Sequence, residues 1–201
     1  QEIIDLWPDI TGKEINGLGE TEAGRPRPVF WRADGTIAHT EALDYFYNQN
    51  KDNPRIIEAR KRYEETSAIP VSDIAAEALE KSTVNWSAEV KSKALELGAE
   101  DVGICEYREE WTFEDRPVPK GKYVVVMAFA HDYPRLSAAP DEETYLEIME
   151  QYLRAGNTSK HLANWIQEQG HFAAAKTGPH TEDVLMIPAA IEAGLGELGK
   201  H

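Results

Sequence analysis

The sequence predicts an α/β (α+β) domain on three observations. Helical stripes alternate along the chain with short apolar runs. One run, Val124-Val125-Val126-Met127-Ala128-Phe129, is uninterrupted, as in a strand whose sheet is covered on both faces. Hydrophobic residues make up 41% of the 201, with five tryptophans, enough to bury a core. This alternation places helices against a sheet. The expected organisation is one core domain over 72–201, preceded by an irregular extension over 1–71 that wraps it.

In the extension, Gly12, Gly17, Gly19, Gly24, Pro26 and Pro28 break any long period. Arg32-Ala33-Asp34-Gly35-Thr36 lies between Val29-Phe30-Trp31 and Ile37-Ala38-His39, and Asp-Gly favours a tight hairpin turn. Asn53 can cap a helix opened by Pro54, where the missing N–H costs nothing. Asp73–Glu80 reads as a short helix. Ser87–Leu97 reads as a longer one, capped by Ser87, with Val90, Ala94 and Leu97 on one face and Gly98 as terminator. Asp101–Cys105 and Lys122–Ala130 read as strands, the second central to the core. Beyond Pro140, Asp141 can cap a helix that aligns Tyr145, Ile148, Met149 and Tyr152 at i, i+3, i+4 and i+7. Gly156 is expected to interrupt or bend it before Leu162, Trp165 and Ile166 resume the pattern as far as Gly170. Phe172–Ala175 is short enough for a strand. Pro188 then opens a short helix through Ala193 that Gly194 closes.

Composition excludes several functions. With 36 acidic against 21 basic residues the formal charge is −15, which repels nucleic acid and anionic membrane surfaces. Cys105 is the only cysteine, so these residues form no intrachain disulfide, and an iron–sulfur cluster normally takes four thiolates. His131, His161, His171, His180 and His201 lack metal-binding spacing, and no metal site is expected. Tyr123–Ala130 is too short to span a bilayer, and no charged-then-apolar leader opens the sequence. A cytoplasmic protein with neither a nucleic-acid nor a membrane partner is expected, with both ends reading as cut. Glu109-Glu110 and Glu142-Glu143 read as solvated charges.

The most informative stretch is Ile187-Pro188-Ala189-Ala190-Ile191-Glu192-Ala193-Gly194-Leu195-Gly196-Glu197-Leu198-Gly199-Lys200-His201. Gly194, Gly196 and Gly199 allow main chain to approach a ligand and expose N–H donors. Formally the spacing is Gly-x-Gly-x-x-Gly, but a dinucleotide fold places it after a strand and before a helix, whereas here it follows a helix. On spacing alone, a structural turn and a ligand loop both remain open.

The wording of this stretch resembles the Pro-x-Ala-x-x-Ala-Gly-Leu-Gly-x-Leu-Gly-Arg/Lys run of reductive dehalogenases, and more loosely that of epoxyqueuosine reductases. The resemblance extends over roughly Ser87–His201, through the Gly98–Cys105 join, the Tyr123–Tyr133 strand with its Asp132-Tyr133-Pro134 exit, and Leu162–Gly170. It implies a nitroreductase-like mixed-sheet core with flanking helices that binds cobalamin base-off. No Asp-x-His-x-x-Gly run supplies a lower histidine ligand, which agrees with that mode. It implies corrinoid contacts from Pro188, Ala190, Gly194, Gly196, Leu198 and Gly199, and two [4Fe–4S] clusters in a segment beyond His201. Lys200 stands where many relatives carry arginine, keeping the charge without the planar fork.

The implied reaction is reductive cleavage of the carbon–halogen bond of a halogenated organic substrate, with electrons from a donor such as ferredoxin or a flavin reductase. The resemblance assigns proton donation to a tyrosine, best matched by Tyr152, although Tyr152 also completes an apolar stripe as a core residue does. Tyr133, at the exit of the central strand, either faces the corrinoid or substrate or belongs to a turn made by Asp132 and Pro134. Asn157 replaces the acidic donor of epoxyqueuosine reductases and cannot act as an acid. Three alternatives stand beside the dehalogenase reading: a corrinoid-binding module without catalysis, an epoxyqueuosine-reductase-like enzyme and a flavin-dependent reductase.

Overall fold

The computed structural model describes residues 24–28, 31–36, 44, 48, 50–177 and 183–198. They form a mixed α/β structure in which helices flank a two-stranded antiparallel sheet, β1 (Asp101–Glu106) with β2 (Tyr123–Ala128). The register pairs Gly103 with Val126 and Cys105 with Val124. Side chains alternate across the sheet as period two requires. Val102, Ile104, Val125 and Met127 face one cluster, completed by Val90, Ala94, Ala99 and Leu162. Cys105, Val124 and Val126 face a second, with Trp111, Ala189, Val184 and Ala193. Helices therefore cover both faces of the apolar run.

Helix α1 (Pro54–Ser67) begins as its sequence predicts, with Asn53 accepting the Arg55 N–H at 2.9 Å and Pro54 in the first turn. It lies along the first half of the long α4 (Glu142–Glu168), on which Arg55 meets Glu142 and Glu143, and Arg62 meets Glu150. Gly156 does not interrupt this helix. It is buried within 27 continuous helical residues, and a Cβ there would come 3.4 Å from Thr66 Oγ1. The glycine lets α1 approach closely, a tertiary demand that outweighs its low helix propensity.

Helix α2 (Thr83–Glu96) starts a turn earlier than expected, because Ser82 rather than Ser87 supplies the cap by accepting the Asn85 N–H at 3.3 Å. Asp73–Glu80 is not helical. Its N–H groups serve the end of α4 instead, Ala75 bonding to Gln167 O and Leu79 to Gln169 O, both at 2.9 Å. Gly170 permits that contact, since a Cβ there would stand 2.4 Å from Ala78 Cα. Phe172–Ala175 forms no ladder.

The last helix, α5 (Met186–Glu192), opens two residues before Pro188. Leading into it, Thr112 bridges Val184, while Phe113 N–H donates to Asp183 O (2.9 Å) and Leu185 N–H to Trp111 O (2.8 Å). A 3₁₀ turn, Glu109–Trp111, presents these partners. Of the extension, the Asp34–Gly35 turn is formed, with Gly35 at φ +81° and Asp34 accepting the Thr36 N–H at 2.9 Å. The flanking Val29-Phe30 and Ile37–His39 lie outside the described residues. The turn is tied to the core by Ala33 N–H to Asp115 (2.7 Å) and Arg116 to Trp31 O (2.8 Å). Arg25 donates to the carbonyls of Thr112, Phe113 and Arg116.

Candidate functional site

The glycine motif is built on the second face of the sheet. Ala189, fully buried, and Ala193 turn the inner side of α5 toward β1, and the Cys105 thiol lies 3.5 Å from Ala189 O. Contact this close needs small residues on both sides. A Cβ on Gly103 would fall 2.6 Å from Ala193 Cβ and 2.8 Å from Ala193 O, so only glycine lets α5 lie here. Arg108, which bonds to Glu192 at 2.7 Å, fastens the far end.

The helix ends in a Schellman motif: Leu195 N–H donates to Ala190 O and Gly194 N–H to Ile191 O, both at 3.0 Å. Gly194 takes φ +79°, a left-handed conformation that side-chain-bearing residues adopt at a cost. The first glycine of the motif is therefore a helix terminator. Gly196 is not in the left-handed region, and a Cβ there, as at Gly194, would meet nothing within 4 Å, so the main chain of both borders open space. Met186, Ile187 and Ile191 are exposed on α5, and Leu198 is 74% exposed just beyond it. Pro188 and Ala190 are half-buried between the two sides. The outcome is an apolar platform with bare, glycine-rich main chain at its edge. Gly199, Lys200 and His201 lie outside the described residues, as does His180.

The other assigned residues lie elsewhere. Tyr152 is in α4, its ring 6.3 Å from that of Tyr63 in α1 in an edge-on contact. Helix α4 packs Leu162, Trp165 and Ile166 on the first face of the sheet, whereas α5 occupies the second. The fold thus sets Tyr152 apart from the glycine segment. Tyr133 is 78% exposed in the first turn of α3 (Tyr133–Leu136), and Asp132 caps this turn by accepting the Arg135 N–H at 3.0 Å. Asp132-Tyr133-Pro134 does make a helical turn, and it also holds the tyrosine in solvent.

One site-building residue escaped the sequence reading. Glu147 is 1% exposed in α4, yet it carries a carboxylate. Oε1 accepts the Asp132 N–H (2.8 Å) and Gln151 Nε2 (2.7 Å), Oε2 accepts Arg135 Nη1 (2.7 Å), and His131 Nδ1 lies 3.4 Å away. Burial pushes its pKa upward. The hydrogen bonds from Asp132 and Gln151 and the charges of Arg135 and His131 outweigh that, leaving the carboxyl below its ordinary range. Glu147 thereby clamps the β2 exit that carries Tyr133. The available signal was Gln151, one helical turn on and able to reach the same group.

The groove between α1 and α4, about 430 Å³, is lined by Arg55, Arg62 and Arg135. Each of them is already paired with a carboxylate, so the groove holds no spare charge for an anion. Burial, followed by the charge of Glu192, raises the Cys105 pKa against the opposing Arg108, which disfavours the thiolate that metals and electrophiles require. Among the described residues no group of three or more His, Cys, Asp or Glu is placed to hold a metal ion, and no helix is long and apolar enough to cross a membrane. Compared with known proteins, the chain matches no family model and no curated sequence.

Proposed function

We propose that this chain is the corrinoid-binding core of a cytoplasmic, cobalamin-dependent reductive dehalogenase with a nitroreductase-like architecture. The observation that carries the reading is the glycine segment after α5, whose wording resembles that family and whose Gly196 main chain borders open space beside exposed Ile187, Ile191 and Leu198. A corrin ring is broad and apolar on its faces and polar at its amide rim, so a platform of aliphatic side chains edged by glycine-rich main chain suits it. Pro188, Ala190, Gly194, Gly196, Leu198 and Gly199 would hold it. When bound, cobalamin would supply the reducing cobalt chemistry for carbon–halogen cleavage. The two [4Fe–4S] clusters do not fit these residues, because the sole cysteine is Cys105 and its thiol is buried.

Binding and catalysis have unequal support. Tyr152, assigned the proton, packs against Tyr63 on the opposite side of the sheet, and Tyr133 stands in solvent. These placements, with the buried lone thiol, favour a second reading in which these residues bind a corrinoid and a separate component supplies electrons.

Titration with cob(II)alamin, followed by absorbance and calorimetry, tests the reading. One corrinoid bound per chain is expected. Gly196→Val should weaken binding about tenfold or more while leaving the melting temperature unchanged, since the added side chain enters open space. No corrinoid uptake, or equal uptake by the variant, defeats the assignment.

A further inference from the structure

The chain leaving β2 is held from both sides by carboxylates. Glu100, just ahead of β1, accepts the Ala130 N–H at 3.0 Å, and Glu147 of α4 accepts the Asp132 N–H at 2.8 Å. The two acids are joined through α4, because Gln151 donates to Glu147 (2.7 Å), and Arg154 donates to both Gln151 (2.7 Å) and Glu100 (2.9 Å). His131 sits between the two anchored amides. Its Nδ1 lies 3.4 Å from Glu147 Oε1, its side chain is 39% exposed, and no partner meets Nε2 among the described residues. A carboxylate beside one ring nitrogen keeps a proton there and leaves the other nitrogen to exchange protons with what lies outside. The other charges around the ring are engaged elsewhere: Arg135 bonds to Glu147 Oε2, the Asp132 carboxylate takes the Arg135 N–H, and Arg154 pairs with Glu100.

The glycine segment runs to the same end of the sheet. Ala189 O stands beside the Cys105 thiol, and Ala193 and Leu195 stand beside Gly103; the β2 partners of Cys105 and Gly103 are Val124 and Val126. From Ala189 to Leu195 the chain therefore advances along the sheet in the direction that β2 itself takes, toward Ala128 and the exit beyond it. Tyr152 has no such relation to the segment, its ring lying against Tyr63. We propose that His131 borders the corrinoid site and donates the proton of the proposed reaction, the task that the family resemblance gives to Tyr152, a role that rests on the corrinoid reading. Two electrons from a low-potential iron–sulfur or flavin protein break the carbon–halogen bond, and the halogen leaves as halide. The proton on Nε2 of the His131 imidazolium completes the new carbon–hydrogen bond, and solvent returns a proton to Nε2.

Cob(II)alamin carries an unpaired electron that broadens the resonances of nearby nuclei, so uptake and proximity are read separately. In the chain loaded with cob(II)alamin, the His131 ring signals should broaden strongly relative to the diamagnetic cob(III)alamin complex, and more than those of Tyr152. With titanium(III) citrate as reductant and 2-bromophenol as substrate, His131→Gln should bind the corrinoid within about twofold of the parent chain. Its turnover should fall about a hundredfold and recover in part on adding imidazole. Tyr152→Phe should cost far less. Failure to take up cobalamin overturns the corrinoid reading and this role with it. Bound corrinoid that leaves the His131 signals sharp overturns the role alone, as does a loaded chain without turnover, or a loss in Tyr152→Phe as large as that in His131→Gln. The broadening measurement needs no variant, so a misfolded His131→Gln protein leaves it decisive.

Discussion

The two faces of the β1–β2 sheet are covered by unlike means. On the first, α2 and α4 close over Val90, Ala94, Val102 and Leu162, and polar bonds from Glu147 and Arg154 seal the strand ends. On the second, α5 and its C-cap meet the strands through Ala189 and Ala193, next to Trp111, Tyr107 and Val184, and α5 turns Met186, Ile187 and Ile191 outward. On the first face the covering helices bring large side chains such as Leu162, Trp165 and Ile166 to the sheet, whereas on the second the helix brings small ones, beside Trp111, and turns its larger apolar side chains outward. A helix that contributes so little to the core yet exposes so many aliphatic side chains is shaped by what it presents as much as by what it supports.

The contrast is open to direct attack. The largest effect is expected at Leu162, 3% exposed in the first cluster. Leu162→Ala should cost about 3 kcal/mol by urea denaturation, because the surrounding helices cannot collapse into the space. A loss below about 1 kcal/mol would mean the first face is no better packed than the second. Gly103→Ala comes next, at about 2 kcal/mol, because its methyl group collides with Ala193. Its signature should be local: the near-ultraviolet signal of Trp111 changes while α2 and α4 keep their amide protection.

The third prediction concerns the clamp. With its pKa held below the ordinary carboxylate value near 4.5, Glu147 contributes stability that is fully present above that value and lost as pH falls through its lower folded value. Glu147→Gln should therefore cost about 1 kcal/mol at neutral pH, a difference that fades on acidification. Equal acid unfolding curves for both proteins would remove Glu147 from the account.

Much of this contrast was readable from the chain, wherever the signal is local. Asn53-Pro54, Gly98 and Gly194 mark helix ends because capping and left-handed backbone depend on a residue and its immediate neighbours. The apolar run at Val124–Phe129 announced a doubly covered strand for the same reason. What went unread depends on distant partners. Gly156 breaks a helix by propensity, but here it meets Thr66. Asp73–Glu80 has a helical composition, but its N–H groups are claimed by the end of α4. Ser82 and Ser87 are equal as caps until the Asn85 N–H chooses one of them. Glu147 looks like a surface charge until Arg135 and the Asp132 N–H close over it. Around the candidate site, the helix end at Gly194 was legible, while the separation of Tyr152 from it was not, because no periodicity states which face of a sheet a helix will occupy.

The Arg25 guanidinium ends on three carbonyls of the Thr112–Arg116 loop, and Trp111 and Phe113 in turn bond to Leu185 and Asp183. Segments from near the start, the middle and the end of the sequence are thereby knotted at one place. Closing such long loops is slow and yields little until the last contact forms. During synthesis, the α1–α4 half can condense while the ribosome is still adding residues, but α5 has no seat until Leu185 has emerged and found Trp111. The platform is thus a late-born part of the molecule, and a nascent chain stalled before that point would leave the second face of its sheet bare to whatever chaperone is nearby.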